Sequence, residues 1–248
     1  MKKLGLIGYP LGHSFSKKYY LNKFKEQEIK DIDYDLYPIA EIAAFKQEIL
    51  ADNAFYGVNV TIPYKQSVIP YLDELSAEAK EMEAVNCIQI RQTKEGKTFT
   101  KGYNTDAYGF EMSLKPLLKP HHKRALVFGN GGATKAVCYS LRKLGISYQI
   151  VSRSKSQQTI TYQELTPDLI KQHQVLINCS PLGTFPNITE CPNIPYDGIT
   201  SDHLLYDLIY NPEQTQFLTL GKQRGAMVKN GYEMLVLQAE KNWEIWNQ

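Results

Sequence analysis

One turn constrains this chain more than any other feature. Arg124–Phe128 reads as a strand, and Gly129-Asn130-Gly131-Gly132-Ala133 follows it. Thr134–Leu144 then has helical spacing, and Tyr148–Ser152 is a second strand. Strand, glycine turn, helix and strand in that order open a doubly wound parallel sheet. The glycines let backbone turn tightly and approach a pyrophosphate. The helix that follows presents unpaired N–H groups and a partial positive charge to the same point. A tight turn with no ligand is the structural alternative; the position between two strands and at the head of a helix favours the phosphate reading.

The end of the second strand separates the two nicotinamide cofactors. An NAD-using chain ends this strand with an acid that binds the ribose 2′-hydroxyl. Here the residues are Ser152-Arg153-Ser154-Lys155, with no acid and two cations. Arginine offers a planar fork of donors to phosphate, so Arg153 and Lys155 favour the 2′-phosphate of NADP(H). A solvated basic loop is the bland alternative.

Composition closes off other classes. Over 248 residues, 28 basic side chains face 26 acidic ones, a formal charge of +2 that provides no broad basic surface for nucleic acid. No apolar stretch is long enough to span a bilayer, and the N-terminal run is too short for a signal sequence, so a soluble, cytoplasmic protein is expected, with no membrane partner. Cys87, Cys138, Cys179 and Cys191 lack metal-ligand spacing, and Cys87, Cys138 and Cys179, set in apolar runs, read as buried free thiols. No metal site is expected.

Upstream of the glycine turn, strands and helices alternate. Lys3–Gly8, Tyr34–Pro38 and Gly57–Ile62 read as strands. Ser16 to about Gln27 and Ile39–Leu50 read as helices, and Pro63 permits another helix to start. Ala84–Gln92 and Lys97–Lys101 flank Lys94-Glu95-Gly96 as a hairpin. This predicts a mostly parallel α/β sheet. A second unit begins near Asp106 with a helix over Ala107–Leu118. Gln174–Asn178 and Leu204–Leu208 are later strands, and a last helix covers about Tyr232–Trp246.

Short polar residues cluster where the first unit should be apolar. Asn59 and Thr61 share one face of the Gly57–Ile62 strand, while Val58, Val60 and Ile62 take the other. Asn86 ends the Ala84-Val85 step. Together they suggest a hydroxyl-rich ligand, although each alone is a normal turn or cap residue. Lys65 stands at a helix N-terminus, where the dipole disfavours a cation. Asp106 is either an N-cap or the partner that orients Lys65. Ser14 and Ser16 offer two hydroxyls that could converge on a carboxylate, or a cap for the next helix. Gln238 lies among apolar residues of the last helix and needs a hydrogen-bond partner if buried.

In sequence these segments resemble the shikimate dehydrogenase family across nearly the whole chain. The matches are Gly8-Tyr9-Pro10 with His13-Ser14-Phe15-Ser16, Asn59-Val60-Thr61-Ile62-Pro63-Tyr64-Lys65, Ala84-Val85-Asn86, Asn104-Thr105-Asp106, Gly129–Ala133, Tyr210-Asn211-Pro212 and Met234–Gln238. The resemblance implies two domains. Residues 1–106 with 230–248 would form an N-terminal α/β substrate domain, and residues 107–229 a Rossmann-like NADP-binding domain. The C-terminal helix would return to the first domain, with the active site in the cleft.

The resemblance further implies that Ser14 and Ser16 bind a substrate carboxylate, with Tyr210 nearby. Thr61, Asn86, Asp106 and Gln238 would bind ring hydroxyls, with Asn59 close by, and Lys65 and Asp106 would be the catalytic pair. Cofactor contacts would come from Gly129, Asn130, Gly131, Gly132, Ala133, Ser152, Arg153, Ser154 and Lys155, from the 178–183 loop including Ser180, and from Leu208 and Gly231. The sequence departs from the family pattern at Lys17, at Asn130 and at Asn178-Cys179-Ser180-Pro181. The implied activity is reversible NADPH-dependent reduction of 3-dehydroshikimate in aromatic amino acid (chorismate) biosynthesis, by a monomer or homodimer. Three alternatives stay open on the residues alone. One is a branch acting on quinate or a similar cyclohexene carboxylate. The second is a non-catalytic NADPH-binding regulator. The third is a folate-dependent dehydrogenase of similar architecture.

Overall fold

The structure is a computed structural model and describes residues 1–12 and 14–248, so His13 of the matched motif lies outside the described residues. The chain divides into two compact units, Met1–Asp106 with Gln238–Gln248, and Ala107–Leu237.

The first unit is built on a six-stranded sheet. Its elements in chain order are β1 (Lys2–Gly8), α1 (Phe15–Glu26), β2 (Ile32–Pro38), β3 (Phe55–Val60), α2 (Tyr64–Ser67), β4 (Glu74–Leu75), α3 (Ala77–Met82), β5 (Cys87–Gln92) and β6 (Thr98–Tyr103). The spatial order is β2-β1-β3-β5-β6-β4. β1 runs parallel to β2 and β3, and its last five residues are all buried, as a parallel strand covered on both faces requires. β5 runs antiparallel to both β3 and β6, so the sheet is mixed. The two cores are distinct. Ile7, Phe45, Val58, Val60 and Ile88 pack in one. Leu4, Tyr20, Phe24, Tyr34, Ala239, Ile245 and Trp246 pack in the other.

Two expectations change here. The helix expected over Ile39–Leu50 is a 3₁₀ turn at Ile42–Ala44 followed by a π turn at Lys46–Leu50. Ile39 is committed elsewhere: its carbonyl accepts the Tyr64 hydroxyl at 2.6 Å and its N–H bonds the Tyr37 carbonyl at 3.0 Å. The strand expected to reach Ile62 ends at Val60, and Ile62 is 71% exposed, not on the buried face shared by Val58 and Val60.

The second unit holds β7 (Arg124–Phe128), α5 (Gly132–Lys143), β8 (Ser147–Ser152), β9 (Thr159–Thr161), α6 (Pro167–Lys171), β10 (Val175–Asn178), β11 (Leu204–Asp207), α7 (Gln216–Gln223) and β12 (Met227–Lys229). α4 (Thr105–Leu114) and α8 (Tyr232–Trp246) each belong partly to this unit and partly to the first. The sheet order is β12-β11-β10-β7-β8-β9 and every pair is parallel, the Rossmann-like arrangement the glycine turn predicts. Alternation along the strands splits the buried residues between two faces. Val127, Val175, Ile177, Leu204 and Tyr206 pack on one, and Leu126, Phe128, Leu176 and Leu205 on the other.

The chain changes unit at Gln238, whereas the sequence placed the change at residue 230. Residues 230–237 stay with the second unit because Met234 packs among Phe110, Leu114, Val127 and Tyr206. Among the described residues no helix is long and apolar enough to cross a membrane.

Candidate active site and cofactor site

Lys65 follows β3 by five residues, on the short helix α2, and Asp106 sits in the first turn of α4. Lys65 Nζ donates to Asp106 Oδ2 at 2.6 Å, and the two side chains are 22% and 16% exposed. Asp106 is therefore not spent as a cap. Its charge suits the helix N-terminus, and its other oxygen, Oδ1, accepts from Asn86 Nδ2 at 2.8 Å. The pair thus keeps opposite charges in contact while enough surface remains for a small ligand.

Asn86 is the hub behind the pair. It is 3% exposed. Its Oδ1 accepts the Thr105 N–H at 2.7 Å, and its Nδ2 is also within 3.0 Å of Thr105 Oγ1. Thr105 Oγ1 in turn donates to Asn242 Oδ1 at 2.6 Å, and Asn242 Nδ2 donates to Gln238 Oε1 at 3.2 Å. Lys65, Asp106, Asn86, Thr105, Asn242 and Gln238 are thus joined bond by bond. Asn242 is completely buried and did not stand out in the sequence, whereas Thr105 appeared there only as the middle of the Asn104-Thr105-Asp106 match, with no role of its own. The available signal was spacing: Asn242 follows Gln238 by four residues, one turn along the same face of α8.

A second branch reaches Ser16. Asn59 Nδ2 donates to the Asn86 carbonyl at 3.2 Å, and Asn59 Oδ1 accepts the Tyr34 hydroxyl at 2.9 Å. Tyr34 also hydrogen-bonds Ser16, and burial pushes its phenol well above the usual tyrosine value. Ser14 is the N-cap of α1 and accepts from the Lys17 N–H at 3.4 Å. Thr61 stands just past β3 with its N–H on the Ile7 carbonyl at 3.0 Å. Tyr210 is 39% exposed and belongs to the second unit.

In the second unit the carboxyl ends of β7, β8 and β10 border a cavity of about 620 Å³. Gly129, Asn130 and Gly131 line it on one side, Ser152, Arg153, Ser154 and Lys155 on another, and Ser180 on a third. Gly132, Ala133, Leu208 and Gly231, also expected at the cofactor, are not among the lining residues. Gly231 instead packs so tightly on Leu208 that a Cβ would collide with the Leu208 carbonyl oxygen. Tyr162, Thr159 and Ser156 also line the cavity and had no sequence signal, because residues 156–164 carry no periodic pattern.

The glycines fall into two kinds. Gly129 has φ +107°, a left-handed conformation that side chains avoid. A Cβ on Gly131 or Gly132 would meet nothing within 4 Å, so protein packing does not demand a glycine at either position. Bare backbone facing open space beside a helix N-terminus suits a pyrophosphate. Thr134 Oγ1 pins the turn: it accepts the Gly131 N–H at 3.2 Å and donates to the Gly129 carbonyl at 3.0 Å. Arg153 is exposed and, among the described residues, makes no ion pair. Lys155 Nζ contacts Glu164 Oε1 at 2.6 Å, which with bonds from Thr161 pushes Glu164 down to about 2. The residues present fit a phosphorylated dinucleotide, with Arg153 the unengaged cation. No group of three or more potential metal ligands occurs among the described residues.

Backbone kept bare for phosphate, at the carboxyl edge of an all-parallel sheet, places the chain among the dinucleotide-binding α/β proteins. Comparison narrows the class. A model of the shikimate dehydrogenase substrate-binding domain matches residues 6–88. The shikimate dehydrogenase (NADP(+)) of Clostridium beijerinckii is 40% identical, over 100% of this chain and 93% of that protein. The Carboxydothermus hydrogenoformans protein of the same name is 36% identical, over 99% and 91%. Among solved structures, shikimate 5-dehydrogenase from Thermus thermophilus, in complex with NADP(H) and shikimate, superposes with a TM-score of 0.84 at 27% identity, over 99% and 93% of the two chains. This chain belongs to the shikimate dehydrogenase family.

Proposed function

We propose that the protein reduces the C3 ketone of 3-dehydroshikimate to the secondary alcohol of shikimate, reversibly and with NADPH. The observation that carries this reading is the partly buried Lys65–Asp106 pair, tied through Asn86 and Asn242 to Gln238. NADPH supplies the hydride. Lys65 supports the oxygen: its ammonium offsets the negative charge that builds there and delivers the proton. Asp106 holds the amine in place by direct contact. Ser14 and Ser16 bind the substrate carboxylate, with Tyr210 contributing. Thr61, Asn86 and Gln238 bind ring hydroxyls. Asn59 acts behind them, since its oxygen is taken by Tyr34 and one N–H by the Asn86 carbonyl. In the cofactor site the Gly129–Ala133 turn would hold the pyrophosphate, and Ser152–Lys155 would hold the 2′-phosphate, with Arg153 the cation suited to it.

The test is the appearance of reduced-nicotinamide absorbance (NADPH or NADH) with shikimate or quinate and with NADP⁺ or NAD⁺. Shikimate with NADP⁺ is expected to give the highest kcat/KM. Lys65→Ala is expected to fold normally and lose turnover by roughly 10²–10⁴-fold, with a smaller change in KM. Unchanged kcat would remove Lys65 from the mechanism, and a preference for quinate would move the protein to the neighbouring substrate class.

A further inference from the structure

Asp207 is the last residue of β11 and is completely buried. Among the described residues it forms no ion pair. It holds three donors instead. Oδ1 accepts from Asn178 Nδ2 at 3.0 Å and from the Ile209 N–H at 3.1 Å, and Oδ2 accepts from Thr215 Oγ1 at 2.6 Å. A buried charge without a counter-ion is costly and survives where its bonds are needed. None of these contacts belongs to the reacting groups named above, so the structural question is what the three bonds hold.

The first bond fixes the orientation of an amide. Asn178 ends β10 directly opposite Asp207 in the parallel ladder. With Nδ2 drawn to the carboxylate and to the Leu182 carbonyl at 3.2 Å, Oδ1 is left to accept Ser180 N–H at 3.0 Å and Ser180 Oγ at 2.6 Å. Turning the amide over would set oxygen against carboxylate. The loop so fixed, residues 179–182, lines the cavity and lies against the glycine turn: the Gly129 Cβ position is 3.1 Å from the Ser180 nitrogen. The second bond fixes Ile209, whose carbonyl accepts the Gly231 N–H at 3.0 Å. The third orients Thr215, the N-cap of α7.

We infer that Asp207 is the positioning residue of the cofactor site, setting through Asn178 the loop that lines the cavity and faces the glycine turn, while its bond to Ile209 braces the strand end behind that loop. The inference rests on the reading of this cavity as the NADP site. Asp207 does not line the cavity itself; it acts through the Asn178 amide on residues 179–182, which do. Burial raises its carboxyl to about 6, against the three hydrogen bonds that favour the ionised form. The titratable groups that feel its charge are Cys179 and Tyr196. Three donors point at the carboxylate, so protonation weakens the hold on Asn178 and Ile209.

The test is NADP⁺ affinity by titration calorimetry across the pH range around 6, on wild type and Asp207→Asn, with circular dichroism to confirm folding. Well above the Asp207 value, the variant is expected to bind about tenfold more weakly, the scale of one charge-assisted hydrogen bond. Below it the difference should shrink, because the wild-type side chain is then neutral as well. The cofactor's own 2′-phosphate titrates in the same window, and comparing two proteins with one ligand removes that contribution. A gap of less than about twofold, or one that stays constant with pH, overturns the inference. Should Asp207→Asn fail to fold, Asn178→Ala carries the test: it keeps Asp207 with its other two bonds, and unaltered affinity overturns the inference. A wild type that binds NADP⁺ yet does not oxidise shikimate would defeat the proposed substrate and leave this result standing. A wild type that does not bind NADP⁺ defeats both.

Discussion

At Lys155 the proposed 2′-phosphate would meet an anion already in place. The sequence counts Arg153 and Lys155 together as the 2′-phosphate site, but Lys155 is already on Glu164 at 2.6 Å. Glu164 also accepts from the Thr161 N–H and hydroxyl, which fixes it at the cavity edge. The Lys155 hydrogen bond, followed by those from Thr161, lowers Glu164 to about 2, so the glutamate is an anion at neutral pH. Discrimination between NADPH and NADH should therefore rest on Arg153, with Glu164 working against it. Glu164→Gln keeps an acceptor for Thr161 and removes the charge. Its kcat/KM ratio for NADPH over NADH should rise a few-fold, the modest scale of an exposed pair. Arg153→Ala should lower the same ratio by roughly tenfold or more, since a bidentate phosphate contact goes with it. A ratio that falls in Glu164→Gln would mean that the glutamate instead presents the lysine to phosphate.

At the scale of elements, the last turns of α8 are anchored in the first unit by packing on β3 and β5. Trp246 Nε1 donates to the Ile88 carbonyl at 3.0 Å, and Gln89 Nε2 bonds the Ile245 carbonyl. Tyr20 closes the other side, donating to the Ala239 carbonyl at 2.8 Å. Gly57 is bare because the indole lies over it: a Cβ there would collide with Trp246 Cδ1. Gly57→Ala is thus expected to destabilise the fold by about 1–3 kcal/mol through overpacking, and Trp246→Ala by about 3–5 kcal/mol through a cavity, both measurable by denaturant unfolding. Because Gln238 rides on this helix, both variants should also raise the KM for shikimate. Elements of this kind were legible where pattern and punctuation agree, as at β7, its glycine turn, and α8. Short ones were not. α6 and α7 begin with clear caps at Thr166 and Thr215, yet they span too few residues for periodicity to show. In the candidate site, the polar side chains that the structure brings together were legible by type at Lys65, Asp106 and Asn86. The linking roles of Thr105, Asn242 and Tyr34 were not, because a polar residue that serves another polar residue looks in sequence like any cap or helix-face residue.

Over the whole molecule, surface-paired acids and the buried Asp207 respond to pH in opposite senses. In the first unit Asp35 and Asp52 sit beside Lys17 and Lys3, whose hydrogen bonds hold both carboxyls below the usual value; these exposed pairs add a little stability that is lost as pH falls through their titration. Asp207 has the opposite sign. Its folded value of about 6 lies above the 3.8 of an ordinary aspartate, so the folded protein keeps a proton that the unfolded chain gives up. Its contribution is therefore complete at acid pH and declines as pH rises through about 6, by ~3 kcal/mol for a shift of this size. Urea unfolding of wild type and Asp207→Asn should show this directly. The stability of wild type relative to the variant is expected to fall between about pH 4 and pH 7 and then level off, whereas a flat difference would mean that the carboxyl is not destabilised by burial. The ionised form that orders Asn178 and Ile209 is thus the form that costs the fold stability. NADP⁺ should offset that cost, since a ligand held by the folded state at about a hundred times its Kd adds about 2.7 kcal/mol. The upward shift in melting temperature on adding NADP⁺ should consequently be larger for wild type than for Asp207→Asn above pH ~6, and similar for the two below it.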